Sequence, residues 1–426
     1  MGKKSETSSA SPLETEFKPG LVDYLKAVGP AIVISAVIIG PGTVTTASTM
    51  GAKYGYQLLW VIVLAALAAC FYQLPAIRVA LAKKVTIMEA FRDRYGKIPA
   101  LVLYLCLMFS SLVFQAGNFT GAAMAMNYFV PQISIINWAL IMILIAFFMV
   151  WTSHYGKLEG FTKFLIIIMV VAFVATAIGS HPSAKQLISE GFSFKIPESN
   201  YLLILAMLAT TMVPDIPVSL SALHKVRYFK EGSFEARLPH LTKMKMAQFD
   251  LIFGSVVTAL ITCAIIICSA AKLHPAGITV SSAADMAVQL TPILGRFAGI
   301  LFSLGLWAAA FSSGLFRIAL LPMLYNQATN QADDMKALRS RIIMILSAGI
   351  PIVCIILFGK SPAELVIMAQ AINGLLLPII AGSVFIITAD KKYMGEYANR
   401  PWLNAVFAVI FAITVMLAIR VFVNLF

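Results

Sequence analysis

Acidic side chains are scarce in this sequence. Only 19 Asp and Glu stand among 426 residues, against 32 Lys and Arg, so charged residues make up 12% of the chain and its net charge is +13. Soluble proteins carry about twice that charged fraction, roughly 25%. The shortage, with a hydrophobic content of 60% and a mean hydropathy of +0.88, excludes a soluble enzyme. It also excludes a disordered chain, which requires low hydrophobicity. Cysteine is limited to Cys70, Cys106, Cys263, Cys268 and Cys354, an odd number, all inside apolar segments. They are expected to be small core side chains, not a disulfide framework or a zinc site. The five histidines, His154, His181, His224, His240 and His274, fall in or beside expected loops. Residues 1–20 lack both apolar character and a cleavage pattern, which reads as a disordered cytoplasmic tail leading into a retained first span.

What the chain has is apolar runs long enough to cross a bilayer, which takes about 20 residues each. Eleven are expected, near 22–48, 56–81, 99–128, 133–151, 161–179, 200–222, 247–271, 293–325, 340–359, 363–389 and 403–424. The longer connectors are a Pro/Ser-containing loop at 180–199 and a basic loop at 223–246. With the N-terminus in the cytoplasm, most Lys and Arg fall on the cytoplasmic side, and the odd number of spans places the C-terminus outside. The positive charge therefore reads as an orientation signal in a multi-pass cell-membrane protein. A nucleic-acid partner is not expected.

Isolated prolines in the spans, Pro75, Pro322, Pro351 and Pro378, are compatible with simple kinks. Two clusters go further. Gly40-Pro41-Gly42-Thr43 lies within the first span, and Val213-Pro214-Asp215-Ile216-Pro217 lies within the sixth. Each removes helix propensity and backbone donors within four or five residues, so two half-helices around an unwound stretch are expected. Non-helical backbone at membrane depth is tolerated only where it is buried or lines a cavity. Breaks five spans apart imply two five-span blocks of opposite orientation, 21–180 and 200–390, followed by an additional helix at 400–426. Such matching breaks point to a substrate site between the blocks.

Nearly all acids sit in the tail, in loops or at span ends, including Glu159, Asp250, Asp285, Glu364 and Asp390; Asp215 is the exception. A carboxylate at the midplane costs about 2.5–3.5 kcal/mol on insertion scales and marks a pathway or a paired charge. Two readings stand: a cation site, or an ion pair with Arg317, the one basic residue deep in a span, which could instead snorkel towards the cytoplasm. With the hydroxyls of Thr43, Thr210 and Thr211 and with freed carbonyls, the ligand set is oxygen only, which suits hard cations. Gln370 and Asn373 in the tenth span, and Gln115 and Asn118 in the third, suit interhelical hydrogen bonding, with Gln370 also able to face the breaks. Ser312, Ser313 and Gly314 read as a close-packing patch, and the 20 methionines chiefly as gap fillers.

These residues resemble the Nramp family of divalent metal transporters. The likeness runs from residues 31–52 with Gly-Pro-Gly-Thr, through Met212-Val213-Pro214-Asp215, to Gly305-Leu306-Trp307-Ala308-Ala309 and Ser312-Ser313, and then Gln370 with Pro378. It implies an all-α polytopic protein of the LeuT type, with two inverted repeats of five helices plus an eleventh and with helices one and six broken. Where the family has Asp-Pro-Gly-Asn in helix one and Met-Pro-His in helix six, this chain has Gly40, Thr43, Val213 and Asp215 in place of the Asp, Asn, Met and His. The family's carbonyl ligand maps to Thr210 and its helix-ten Gln to Gln370. Loss of the thioether removes the soft ligand that favours transition metals. The pattern is similar to the Nramp-related magnesium transporters.

The resemblance thus implies a metal site of Asp215, Thr43, Gly40, Thr210 and Gln370, with Mg2+ and Mn2+ as transported substrates and no cofactor. The family's proton relay uses charged residues in helix three, yet residues 99–128 contain no Asp, Glu, Lys, Arg or His. Uncoupled transport by alternating access, in a lipid-embedded monomer, is therefore expected. A proton-coupled Mn2+ or Fe2+ symporter is the alternative, followed by an organic-solute carrier on the same fold.

Overall fold

The computed structural model describes residues 20, 23–24, 38–152, 156–182, 184–194, 196, 201–359 and 361–425. The expected N-terminal tail and most of the first half of the first span lie outside them. Among the described residues every regular element is helical. The principal helices are α1 (Pro41–Tyr54), α2 (Leu59–Lys83), α3 (Ile87–Tyr95), α4 (Lys97–Phe129), α5 (Ile135–Trp151), α6 (Gly156–Gly179) and α7 (Tyr201–Thr211). They continue as α8 (Ile216–Phe229), α9 (His240–Lys272), α10 (Ala298–Thr329), α11 (Leu338–Phe358), α12 (Pro362–Ala389) and α13 (Pro401–Leu425).

Taking α7 and α8 as one broken span, eight described helical segments are long and apolar enough to cross a membrane, and α5 and Phe164–Gly179 are shorter apolar helices. The four lone prolines all sit inside continuous helices, Pro75 in α2, Pro322 in α10, Pro351 in α11 and Pro378 in α12. Neighbouring helices can re-satisfy one missing donor, whereas a cluster of breakers stops the ladder. The two clusters do stop it: α1 begins at Pro41 with Gly40 as its N-cap, and residues 212–215 separate α7 from α8.

Two connectors differ from expectation. The basic loop expected at 223–246 is mostly helix, because α8 runs on to Phe229 and α9 starts at His240. Amphipathic turns rich in Lys and Arg extend these helices beyond their apolar cores, where hydropathy alone places a boundary. Asp250, expected at a span end, consequently lies well inside α9 and is fully buried.

The broken span is the centre of the bundle. Its most apolar window is 94% buried, against 28% for α13 at the periphery. α4 packs chiefly on α10 and α12, α7 on α12, α8 on α2, and α1 on α9. Outward positions such as Leu67, Val102, Phe148, Val409 and Ile419 stay exposed, as expected of surfaces that meet lipid and not water.

At one end of the bundle α3 is laced to its neighbours. Thr86 and Glu89 form a capping box at its start. Thr86 Oγ1 donates to Gln327 Oε1 of α10 at 2.9 Å, Ser221 Oγ of α8 accepts from the Ile87 N–H at 3.0 Å, and Lys225 pairs with Glu89 at 2.8 Å. At the other end lies a cavity of about 680 Å³, lined by residues including Thr49 and Lys53 of α1, Leu203 of α7, His274, and Glu364 of α12.

Candidate functional site

Both breaks meet at the middle of the molecule. Thr43, in the first turn of α1, donates through Oγ1 to the Ile38 carbonyl at 2.5 Å and lies 2.8 Å from the hydroxyl of Thr210, in the last turn of α7. Gly40 forms the turn before α1, and its carbonyl accepts the Val44 N–H at 3.1 Å. At the second break the Pro214 carbonyl, freed from helical bonding, accepts from the Tyr72 hydroxyl of α2 at 3.0 Å. A buried carbonyl left without a donor would be costly, so Tyr72 stabilises the unwound backbone.

Asp215 stands at the N-cap of α8 and is 1% exposed. An aspartate there normally accepts from the N–H of the second or third helical residue. Pro217 occupies the second position and has no N–H, and the Asp215 carboxylate makes no cap bond. Only its backbone carbonyl serves the helix, accepting from Ser219 N–H and Oγ, both at 3.0 Å. The side chain is left for tertiary contacts. Oδ1 accepts from Arg317 Nη2 of α10 at 3.2 Å, while Oδ2 has no hydrogen-bond partner. Arg317 does not snorkel: it is completely buried, with one nitrogen on Asp215 and the Phe114 ring of α4 covering the guanidinium.

Gln370 of α12 is packed against α1. A Cβ at Gly42 would strike the Gln370 amide, and a Cβ at Gly117 of α4 would lie 3.6 Å from its Nε2. Gln370 is therefore wedged at the crossing of α1, α4 and α12, and neither of its amide atoms has a hydrogen-bond partner. Asn373, one turn on, behaves differently, accepting from Ser110 of α4. Close packing also fixes the start of α1: a Cβ at Gly121 of α4 would collide with the Pro41 ring. Gly314 of α10 meets the Phe119 ring in the same way, which accords with the packing role expected of that patch.

Of the five expected site residues, contacts therefore join Thr43 to Thr210 and place Gln370 beside the Gly40-to-Thr43 turn, while Asp215 contacts Arg317. Among the described residues no three His, Cys, Asp or Glu side chains cluster as a metal-ligating group. The donors at the breaks are one carboxylate, hydroxyls, an amide and backbone carbonyls. Such a set can hold a hard cation that keeps part of its hydration shell.

The surroundings of several groups differ from those expected from the sequence. Gln115 and Asn118, expected to bond between helices, are buried in α4 with all four amide atoms unpartnered; their spacing of three, which puts them on one helix face, was the available signal. His224 lies inside α8, not beside a loop, fully buried and with neither ring nitrogen hydrogen-bonded. Only knowing that α8 outlasts its apolar core would have revealed it. Outside the spanning helices, Arg94 bonds Asp390 at 2.5 Å and holds its carboxyl below the usual carboxylate range.

Comparison with known proteins places this architecture. A family described as natural resistance-associated macrophage protein-like, Nramp, matches residues 31–424. The chain is 25% identical over 400 residues to the divalent metal cation transporter MntH of Caldanaerobacter subterraneus, covering 93% of this chain and 92% of that one. MntH of Aeromonas hydrophila is 26% identical over 411 residues, covering 95% and 97%. Among solved structures, the Eremococcus coleocola manganese transporter superposes with a TM-score of 0.77 at 17% identity, covering 98% of this chain and 90% of that one. MhsT in complex with L-phenylalanine superposes with a TM-score of 0.62 at 14% identity, covering 93% and 98%. At those identities the two structures speak for the fold alone, which is the LeuT type.

Proposed function

The chain belongs to the Nramp family, and from that premise we propose that it carries divalent metal ions, Mg2+ together with Mn2+, across the membrane by alternating access and without protons. One observation supports the choice of ion above the rest: the breaks of a divalent-metal-transporter fold offer a single carboxylate, Asp215, among neutral oxygens, with Val213 where the family's thioether stands. Without a soft ligand, manganese loses its advantage over magnesium. One charge cannot strip a strongly hydrated ion, so the ion is carried partly hydrated and bound weakly. Thr43, Thr210 and Gln370 supply or orient the remaining oxygens, and Gly40 leaves room for water.

Residues 99–128 of α4 carry no ionisable Asp, Glu, Lys, Arg or His, which supports transport uncoupled from protons. The driving force is then the gradient plus the membrane potential, about 4.6 kcal/mol for a doubly charged ion at 100 mV. The Lys and Arg asymmetry supports a cytoplasmic N-terminus and an outer C-terminus; the cavity lined by Lys53, His274 and Glu364 then faces the exterior and the α3 lacing lies on the cytoplasmic side. One observation favours the coupled alternative: His224 is a buried imidazole with unpartnered nitrogens on the cytoplasmic half of the broken span.

Proteoliposomes containing an internal pH dye decide between them. Mg2+ and Mn2+ are expected to enter and to compete with each other while the lumen keeps the pH of protein-free vesicles. Metal-driven acidification above that control overturns the uncoupled mechanism, and failure of millimolar Mg2+ to compete with Mn2+ overturns the magnesium assignment.

A further inference from the structure

The Asp215–Arg317 pair is built unlike a structural staple. Buried guanidinium–carboxylate pairs that hold a fold together are commonly bidentate, with their remaining donors satisfied, because a half-bonded pair does not recover its desolvation cost. Here a single bond of 3.2 Å joins Nη2 to Oδ1. Arg317 Nε and Nη1 and Asp215 Oδ2 have no hydrogen-bond partner. The guanidinium is at the same time seated on Phe114, with its carbon 3.8 Å from the ring centroid, where the ring's quadrupole attracts it.

We infer that Arg317 is a tethered counter-cation, which neutralises Asp215 when no metal ion is bound and yields the carboxylate to a divalent ion by breaking its single bond to Oδ1 while Phe114 keeps the guanidinium seated, thereby setting the site's affinity and its preference for double over single charge. The inference rests on Asp215 being the ion-binding carboxylate. A monovalent ion that displaced the guanidinium would exchange one unit charge for another while losing hydration, and would gain nothing. A divalent ion at the same distance has twice the Coulomb attraction. In the empty carrier the pair also spares the membrane interior a bare carboxylate, which lets the ion-free protein return.

Three readouts on purified protein test this. Arg317→Met is expected to bind Mn2+ about tenfold more tightly than the wild type by calorimetry, since the competitor is gone. Sodium in excess should weaken that binding in Arg317→Met and leave the wild type unaffected. In liposomes, tracer exchange between loaded sides should persist in Arg317→Met while net uptake into metal-free vesicles falls, because the empty carrier now bears an uncompensated charge. A simple loss of structure would lower both. Phe114→Leu keeps the ion pair and removes the aromatic seat, so it should bind Mn2+ several-fold more weakly; this variant carries the test if Arg317→Met does not fold. Mn2+ affinity unchanged in either folded variant, or exchange and net uptake falling together, overturns the counter-cation role. A wild-type protein that binds neither Mg2+ nor Mn2+ overturns instead the proposed function on which it rests.

Discussion

The two breaks solve the same problem with opposite means. At the start of α1 there is no charge at all: Gly40, Pro41 and Gly42 lack polar side chains, Thr43 is tied to Ile38 and Thr210, and Gly42 accommodates the Gln370 amide. At the junction of α7 and α8 there is charge of both signs, Asp215 and its Arg317 partner, and a tyrosine braces the unwound backbone. The first break is a matter of shape and the second of electrostatics. Breaks divided in this way separate shape from charge, so either can be altered while the other is left in place.

The largest test of that division is Asp215→Asn, which leaves Arg317 buried without a counter-charge. Breaking a buried pair from one side costs about 3–5 kcal/mol, and the thermal unfolding temperature in detergent should fall accordingly. Adding Arg317→Met should recover most of the loss; no recovery would mean that the charges do not act as a unit. At the uncharged break, Gly42→Ala puts a Cβ into Gln370 and should cost about 1–3 kcal/mol by overpacking. Gln370→Ala makes room, so the double variant should be more stable than the sum of the two single changes, and simple additivity in a double-mutant cycle would refute the close approach. Tyr72→Phe removes one hydrogen bond to the Pro214 carbonyl and should cost about 1 kcal/mol, read from the same unfolding curves.

The smallest effect is expected far from both breaks. Asp390, held low by Arg94, contributes stability that is complete above the ordinary carboxylate pKa and is lost as pH falls through its depressed value. Asp390→Asn should therefore be slightly less stable than the wild type at neutral pH and indistinguishable from it in strong acid. A difference that persists in acid would show that the side chain acts by packing.

Much of this arrangement was legible in the sequence, because breaker clusters and apolar run lengths act locally. Gly40-Pro41-Gly42-Thr43 and Val213-Pro214-Asp215 stop their helices wherever the chain is placed, and a lone Pro378 does not. Asp215 stood out for a similar reason, as a carboxylate in an apolar run. What the sequence hid was partnership. Arg317 lies 102 residues from Asp215, and nothing in its own segment says whether it snorkels or turns inward. Asp250 and His224 were misplaced because helices continue past the end of their apolar stretch, and hydropathy is silent there. The amides were hidden for a third reason: Asn373 and Gln370 are one turn apart on the same helix, yet one meets Ser110 and the other meets only Gly42, Gly117 and the groups around them.

The contact between the Pro41 ring and Gly121 fixes how closely the first turn of α1 approaches α4. The 14 residues of α1 run about 21 Å from that contact. Their far half is pinned as well: Ser269 Oγ of α9 donates to the Ser48 carbonyl at 2.5 Å, His274 Nδ1 lies 2.8 Å from the Ala52 carbonyl, and a Cβ at Gly51 would strike the Ile266 carbonyl. Thr49, Ala52 and Lys53, in that half, line the cavity of about 680 Å³. Clasped by α4 at its start and by α9 along its far half, α1 is a spacer that sets the distance from the Gly40 turn to the cavity wall.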